Sequence, residues 1–317
     1  MSGEHIFSTQ VAYVTQKIAL PVTPSSSFKQ SSPHNLLLSS NKYGMVIFAI
    51  NTTVYISSVS EIENASKSLT NLFNFPPLNS PILGLSLSQD NLTLLCFTSN
   101  TLLFYSLTSL ESYKANKGEI KADFSFSVNG SILACKYSAS SLSNGSFFIL
   151  DDRHTLSIYP TSPSFSSSPL VSKVFPGCKY ADWDSHHHRI ILSFNLNFLL
   201  LNAEDLSVIL TTTPSLPSEF IQSVSYLSWC PYTQNNDQNY FLVGFSCAVM
   251  DEEEDKENEE ETVEDTFVSM GILRWREKSQ TMDVVNYFED VCQPVNESEE
   301  EMKGQQQTFF SSYLSPT

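Results

Sequence analysis

The chain has six cysteines, Cys96, Cys135, Cys178, Cys230, Cys247 and Cys292, and none of them stands in a Cys-x-x-Cys pair or a tight cluster. No zinc site and no disulfide framework is legible in that spacing. The N-terminus, MSGEHIFSTQVAYV, lacks a basic region followed by an apolar stretch, and no uninterrupted apolar run approaches the roughly 18 residues that span a bilayer. An intracellular, soluble protein without membrane insertion is the expectation. On that reading the Asn-x-Ser/Thr matches at Asn51, Asn64, Asn91, Asn129, Asn144 and Asn296 are chance products of an Asn- and Ser-rich chain.

Catalytic signatures are missing as well. There is no Gly-x-Ser-x-Gly, no P-loop, no His-Glu-x-x-His and no repeated carboxylate pair, so the chain does not read as an enzyme and no cofactor or metal is expected. No segment sustains a 3.6-residue apolar period, which argues against helices. Phe-Gly dipeptides and heptad coiled coils are absent too. Basic residues are scarce, with 17 Lys and Arg against 34 Asp and Glu, a formal charge of −17. Such a surface repels phosphate backbones and anionic lipid, so direct nucleic-acid binding is disfavoured and a basic protein partner is favoured. The charge is concentrated: residues 251–265, DEEEDKENEEETVED, hold eleven acids and one lysine.

What the chain has in quantity is short apolar runs. NLLLSS, MVIFAI, TTVYIS, LTLLCF, TLLFYSL, ILACKY, SFFIL, RIILSF, FLLLN, YFLVGF and FVSMGIL are rich in Val, Ile, Leu, Phe and Tyr and are bounded by Ser, Asn, Asp, Gly or Pro. This is the signature of β-strands. They recur with a period. Tyr180 and Trp183 in YADWDS return 46 residues later as Tyr226 and Trp229 in YLSWCP, Tyr137 stands 46 residues before Trp183, and Leu87 stands 50 before Tyr137.

Several short strands per unit of about 40 to 50 residues predict a β-propeller blade, an antiparallel four-stranded sheet with both faces covered by its neighbours. The fold class is therefore all-β, WD40-like, with 1–317 as one incomplete propeller domain. Opening strands near Leu36, Ile82, Ile132, Cys178 and Val224 give five blades, and TFFSSYL (308–314) reads as the first strand of a sixth. An early strand, Lys17 to Leu20, is positioned to close the ring of a longer chain. The acidic stretch 251–265 reads as a solvated, disordered loop inserted in blade five, between YFLVGFSCAV and FVSMGILRW.

Two clusters look reactive. His186, His187 and His188 beside Asp182 and Asp184 fall in the polar turn between the first two strands of the fourth blade, where adjacent side chains diverge and cannot all reach one ion. Asp151, Asp152, Arg153 and His154 separate SFFIL from TLSIY, the place of a charged hairpin turn. Trp183 reads as a blade-packing residue.

SSNKYGMVIFA (39–49), PILGLSLSQDNLTLLCF (81–97) and the ordered block VSYLSWCP, YFLVGFSCAV, MGILRW resemble the N-terminal propeller of the cytoplasmic-filament nucleoporins of 214 and 159 kDa. The resemblance implies a seven-bladed propeller at the cytoplasmic face of the nuclear pore complex, associated with other nucleoporins. There it would dock a DEAD-box RNA helicase that strips export proteins from emerging mRNA, in competition with the helicase's hold on RNA. The docking surface in that family comes from loops of the later blades. One contact is an acid just before the fifth blade's opening strand, and Glu219 in LPSEFIQSVSYLSW, ten residues before Trp229, matches it. Contacts that the family draws from its sixth and seventh blades have no counterpart here. Glu252, Glu253, Glu254 and Asp255, the densest part of the acidic run, add an auxiliary electrostatic role. Two other readings stand beside this one: a general WD-repeat-like interaction scaffold outside the pore, with the DWD at 182–184 as its one matching motif, and a propeller hydrolase.

Overall fold

A computed structural model of the chain describes residues 36–292, apart from 41, 65–72, 89, 109–119, 139–144, 162–167, 185–187, 217–220, 231–237, 250–264 and 277. The strands group into five antiparallel sheets of four, each built from four consecutive strands. The first holds β1 (Leu37–Ser40), β2 (Met45–Ile50), β3 (Thr53–Ser58) and β4 (Phe73–Asn74), with a short helix α1 (Val59–Asn64) after β3. The second holds β5 (Gly84–Leu87), β6 (Thr93–Phe97), β7 (Thr101–Ser106) and β8 (Phe124–Ser127). In the third are β9 (Ile132–Tyr137), β10 (Ser146–Asp151), β11 (Thr155–Pro160) and β12 (Val171–Val174). The fourth comprises β13 (Tyr180–Asp184), β14 (Arg189–Phe194), β15 (Asn197–Asn202) and β16 (Val208–Thr212). Longer strands make the fifth: β17 (Ile221–Cys230), β18 (Gln238–Val249), β19 (Asp265–Arg276) and β20 (Thr281–Cys292).

The first strands of successive sheets abut one another, β1 on β5, β5 on β9, β9 on β13 and β13 on β17. Each sheet is thus a blade with its opening strand innermost, as the opening runs predict. Alternation along the strands explains why both faces are apolar. In β6, Leu94 and Cys96 enter the core shared with the first blade, whereas Leu95 and Phe97 enter the core shared with the third. In β10, Phe147 and Ile149 face backward, and Phe148 and Leu150 face forward against Trp183, Ile190 and Leu192 of the fourth blade. Ile191, Phe198 and Leu200 of that blade pack on Trp229, Phe241, Val243 and Phe245 of the fifth. Four separate cores therefore sit between blades, and a strand with period-2 side chains feeds two of them at once.

The turns follow local chemistry. Asn51 (φ 54°) and Asn195 (φ 51°) occupy the left-handed positions of two tight hairpins, a conformation that asparagine tolerates better than most residues. Gly271 in β19 is required for packing, because a Cβ there would lie 2.8 Å from the ring of Phe245. The acidic stretch is placed between β18 and β19, and its last residue, Asp265, opens β19 opposite Val249. The connecting residues 250–264 lie outside the described residues, as do residues 17–20, expected as an early strand, and TFFSSYL.

Candidate functional site

Blade five supplies the candidate docking rim. Strand β17 begins at Ile221, whose partner is Cys247, two residues before β18 ends at Val249, and Val249 is itself paired with Asp265 at the start of β19. The segment that carries Glu219 thus meets the sheet at the same end as the two strand ends that bracket the acidic run. Adjacent strands lie about 4.8 Å apart, so these attachment points are close neighbours. Glu219, Glu252, Glu253, Glu254 and Asp255 themselves lie outside the described residues; the topology places their anchors together.

At the opposite end of the inner strands is an arrangement that the sequence did not reveal in advance. Tyr137 and Trp183, two aromatics of the repeat, each follow a polar residue, Lys136 and Asp182, that joins one blade to the next, and the backbone of Trp229 is bonded into the same arrangement. The backbone N–H of Tyr137 donates to Ser86 Oγ at 3.0 Å. Trp183 Nε1 donates to the carbonyl of Lys136 at 2.9 Å, and Lys136 Nζ is 2.5 Å from Asp182 Oδ1. Asp182 Oδ2 accepts from the Trp229 N–H at 2.6 Å, and Asp182 Oδ1 accepts from the Trp183 N–H at 2.7 Å. The Asp182 carboxylate is 2% exposed and joins three consecutive blades, with one charge partner and two amide donors as a buried carboxylate requires. Lys136 and Asp182, each one residue before a repeat aromatic, were the available signal.

His188, the one described member of the histidine triplet, is not merely a solvated turn residue. Its ring stacks on Trp183 at 6.1 Å between centroids, with the backbone at φ 55°. His186 and His187 lie outside the described residues. Among the described residues no three His, Cys, Asp or Glu side chains come together in a way that could hold a metal. The Asp151–His154 cluster is a hairpin turn: Asp151 Oδ1 accepts from the N–H groups of Arg153 and Thr155 at 3.1 and 2.8 Å, and His154 Nδ1 is 2.8 Å from the Cys178 carbonyl. Both groups hold backbone in place. Burial raises the thiol of Cys96 to about 12 and that of Cys178 to about 11, so neither is an activated nucleophile.

No family model and no curated protein matches the chain. Solved structures do. A chain of the mitotic checkpoint complex superposes with a TM-score of 0.54 at 13% identity, over 83% of this chain and 65% of that one. The WD40 β-propeller domain of Doa1 superposes with a TM-score of 0.50 at 10% identity, over 80% of this chain and 67% of that one. The fold is that of a β-propeller. A chain from the S. cerevisiae structure of Dbp5 bound to Nup159 and Gle1 aligns with a TM-score of 0.48 at 14% identity, over 80% of this chain and 60% of that one. The propeller described here spans just under two thirds of the length of the first of these structures.

Proposed function

We propose that this propeller is a protein-docking platform whose blade-five rim binds a basic protein surface, and that the partner is a DEAD-box RNA helicase acting in mRNA export at the cytoplasmic face of the nuclear pore. The helicase and the location rest on the resemblance of the 39–49, 81–97 and blade-five motifs. One structural observation carries the docking reading: Ile221, two residues after Glu219, and the Val249–Asp265 pair, which brackets the acidic run, share one end of one blade. An acidic rim steers a basic partner into encounter, and a desolvated carboxylate within it fixes register. No catalytic role is assigned. The general WD-repeat-like scaffold is the second reading, and it rests on the DWD at 182–184.

The test is binding of a purified mRNA-export DEAD-box helicase to the chain and to Glu219→Lys. The substitution is expected to lower affinity tenfold or more, on the order of 2 kcal/mol, mainly through faster dissociation. Unchanged affinity would remove Glu219 from the interface. Pulldown of signalling or ubiquitin-ligase components in place of the helicase would favour the second reading.

A further inference from the structure

Four of the five large apolar side chains that stand exposed among the described residues lie on the outer strands of two neighbouring blades: Leu170 and Val174 at β12, and Val208 and Ile209 on β16. The two strands are close on the perimeter, since Lys173 Nζ of β12 donates to the Leu206 carbonyl just before β16 at 3.2 Å. Both strands end their sheets, and among the described residues each is paired along one edge only. Every second amide and carbonyl of such an edge strand points away from its one partner strand.

The two edges are not equivalent. β12 carries Lys173, one of the charges that protect free edges. β16 reads Val-Ile-Leu-Thr-Thr, with no charged residue and no proline, and its one irregularity is a register shift opposite Leu200 and Leu201. Val208 is 48% and Ile209 is 40% exposed. Leading into the strand are Glu204 and Asp205, both exposed, with Asp205 Oδ1 accepting from the Ser207 N–H at 2.9 Å. A second copy of a chain with net charge −17 is a poor occupant, because two such bodies repel each other at the encounter distance.

We infer that the free edge of β16 receives an extended segment of a basic protein partner, which adds as a fifth strand to the fourth blade. Main-chain hydrogen bonds supply the pairing, apolar side chains of the segment cover Val208 and Ile209, and a Lys or Arg at one end meets Glu204 and Asp205. The edge is formed by residues 208–212 and does not include Glu219, so the inference stands whether or not the rim binds a helicase.

Hydrogen exchange on the full chain tests it, with a capped peptide of about eight residues alternating lysine and valine as the probe and the glutamate–valine counterpart as the control. Slowed exchange across 208–212 with the lysine peptide, and little with the glutamate peptide, is the expected result. The double variant Val208→Lys, Ile209→Lys should weaken the lysine peptide about tenfold or more, since it removes two apolar contacts and adds repulsion. Because both side chains are already solvent-facing, that variant keeps the fold; Glu219→Lys should leave peptide binding unchanged. Absence of binding at millimolar peptide, protection confined to other strands, equal binding of the glutamate peptide, or self-association through this edge would each overturn the proposal.

Discussion

Asp182 concentrates the polar stabilisation of the propeller in one carboxylate. Its replacement by alanine strands the N–H groups of Trp183 and Trp229 in a buried environment and frees Lys136. Each stranded donor costs about 1–3 kcal/mol, so Asp182→Ala is expected to lower unfolding stability in urea by about 2–5 kcal/mol. Lys136→Ala should cost less, about 1–3 kcal/mol, since it removes the charge partner of a buried carboxylate but leaves both amide donors in place, and the lysine side chain is itself 36% exposed. Equal losses from the two variants would contradict the assignment of the carboxylate as the hub. The aromatics of this belt were legible because large residues at a fixed period stand out in a sequence. Their polar neighbours were not, because Ser86, Lys136 and Asp182 differ in chemistry and share only a position.

Strands carry the next level. Because β10 alternates between two cores, its adjacent phenylalanines report on different blades. Phe148 packs on Trp183 at 5.7 Å, whereas Phe147 stacks on Tyr159 at 5.3 Å and meets Phe104 at 5.3 Å. Either change to alanine should cost about 3–5 kcal/mol, but only Phe148→Ala should directly alter the fluorescence of Trp183. Strand positions and blade order were readable from apolar runs and polar turns, since each run needs both faces covered. The pairing of β18 with β19 across a charged interruption was readable for the same reason: twelve residues of each strand match in register from Gln238–Arg276 to Val249–Asp265. Replacing residues 250–264 with Asn-Gly should therefore preserve the fold. Closure of a shorter loop would stabilise it by up to about 2 kcal/mol, whereas a loss of stability would mean that the acidic stretch packs on the body. The same deletion should slow association with the helicase and flatten its salt dependence.

At the scale of the whole molecule, burial and charge set the pH response. Cys96 and Cys178 are held protonated to about 12 and about 11 by burial, and the buried Tyr105 and Tyr137 hydroxyls are shifted upward for the same reason. In the unfolded chain these thiols ionise near 9, so the unfolded state releases protons first. Stability is full below about pH 8 and falls between about 9 and 12, by up to roughly 1.4 kcal/mol per pH unit for each such group. Denaturant titrations across that range should show the decline, and a flat profile would mean that these groups are open to solvent. The propeller architecture was legible at this scale from the period alone. The candidate rim was legible only in part: Glu219 and the acidic run are more than thirty positions apart in sequence, and antiparallel pairing in blade five is what joins their anchors.

This end of blade five is the proposed docking face for the helicase. Hydrogen exchange of the chain with and without a purified mRNA-export DEAD-box helicase tests it most directly. Slowed exchange at 213–223 and around 247–266 is the expected footprint, and protection confined to the opposite end, at 229–241, or none at saturating helicase, would contradict it.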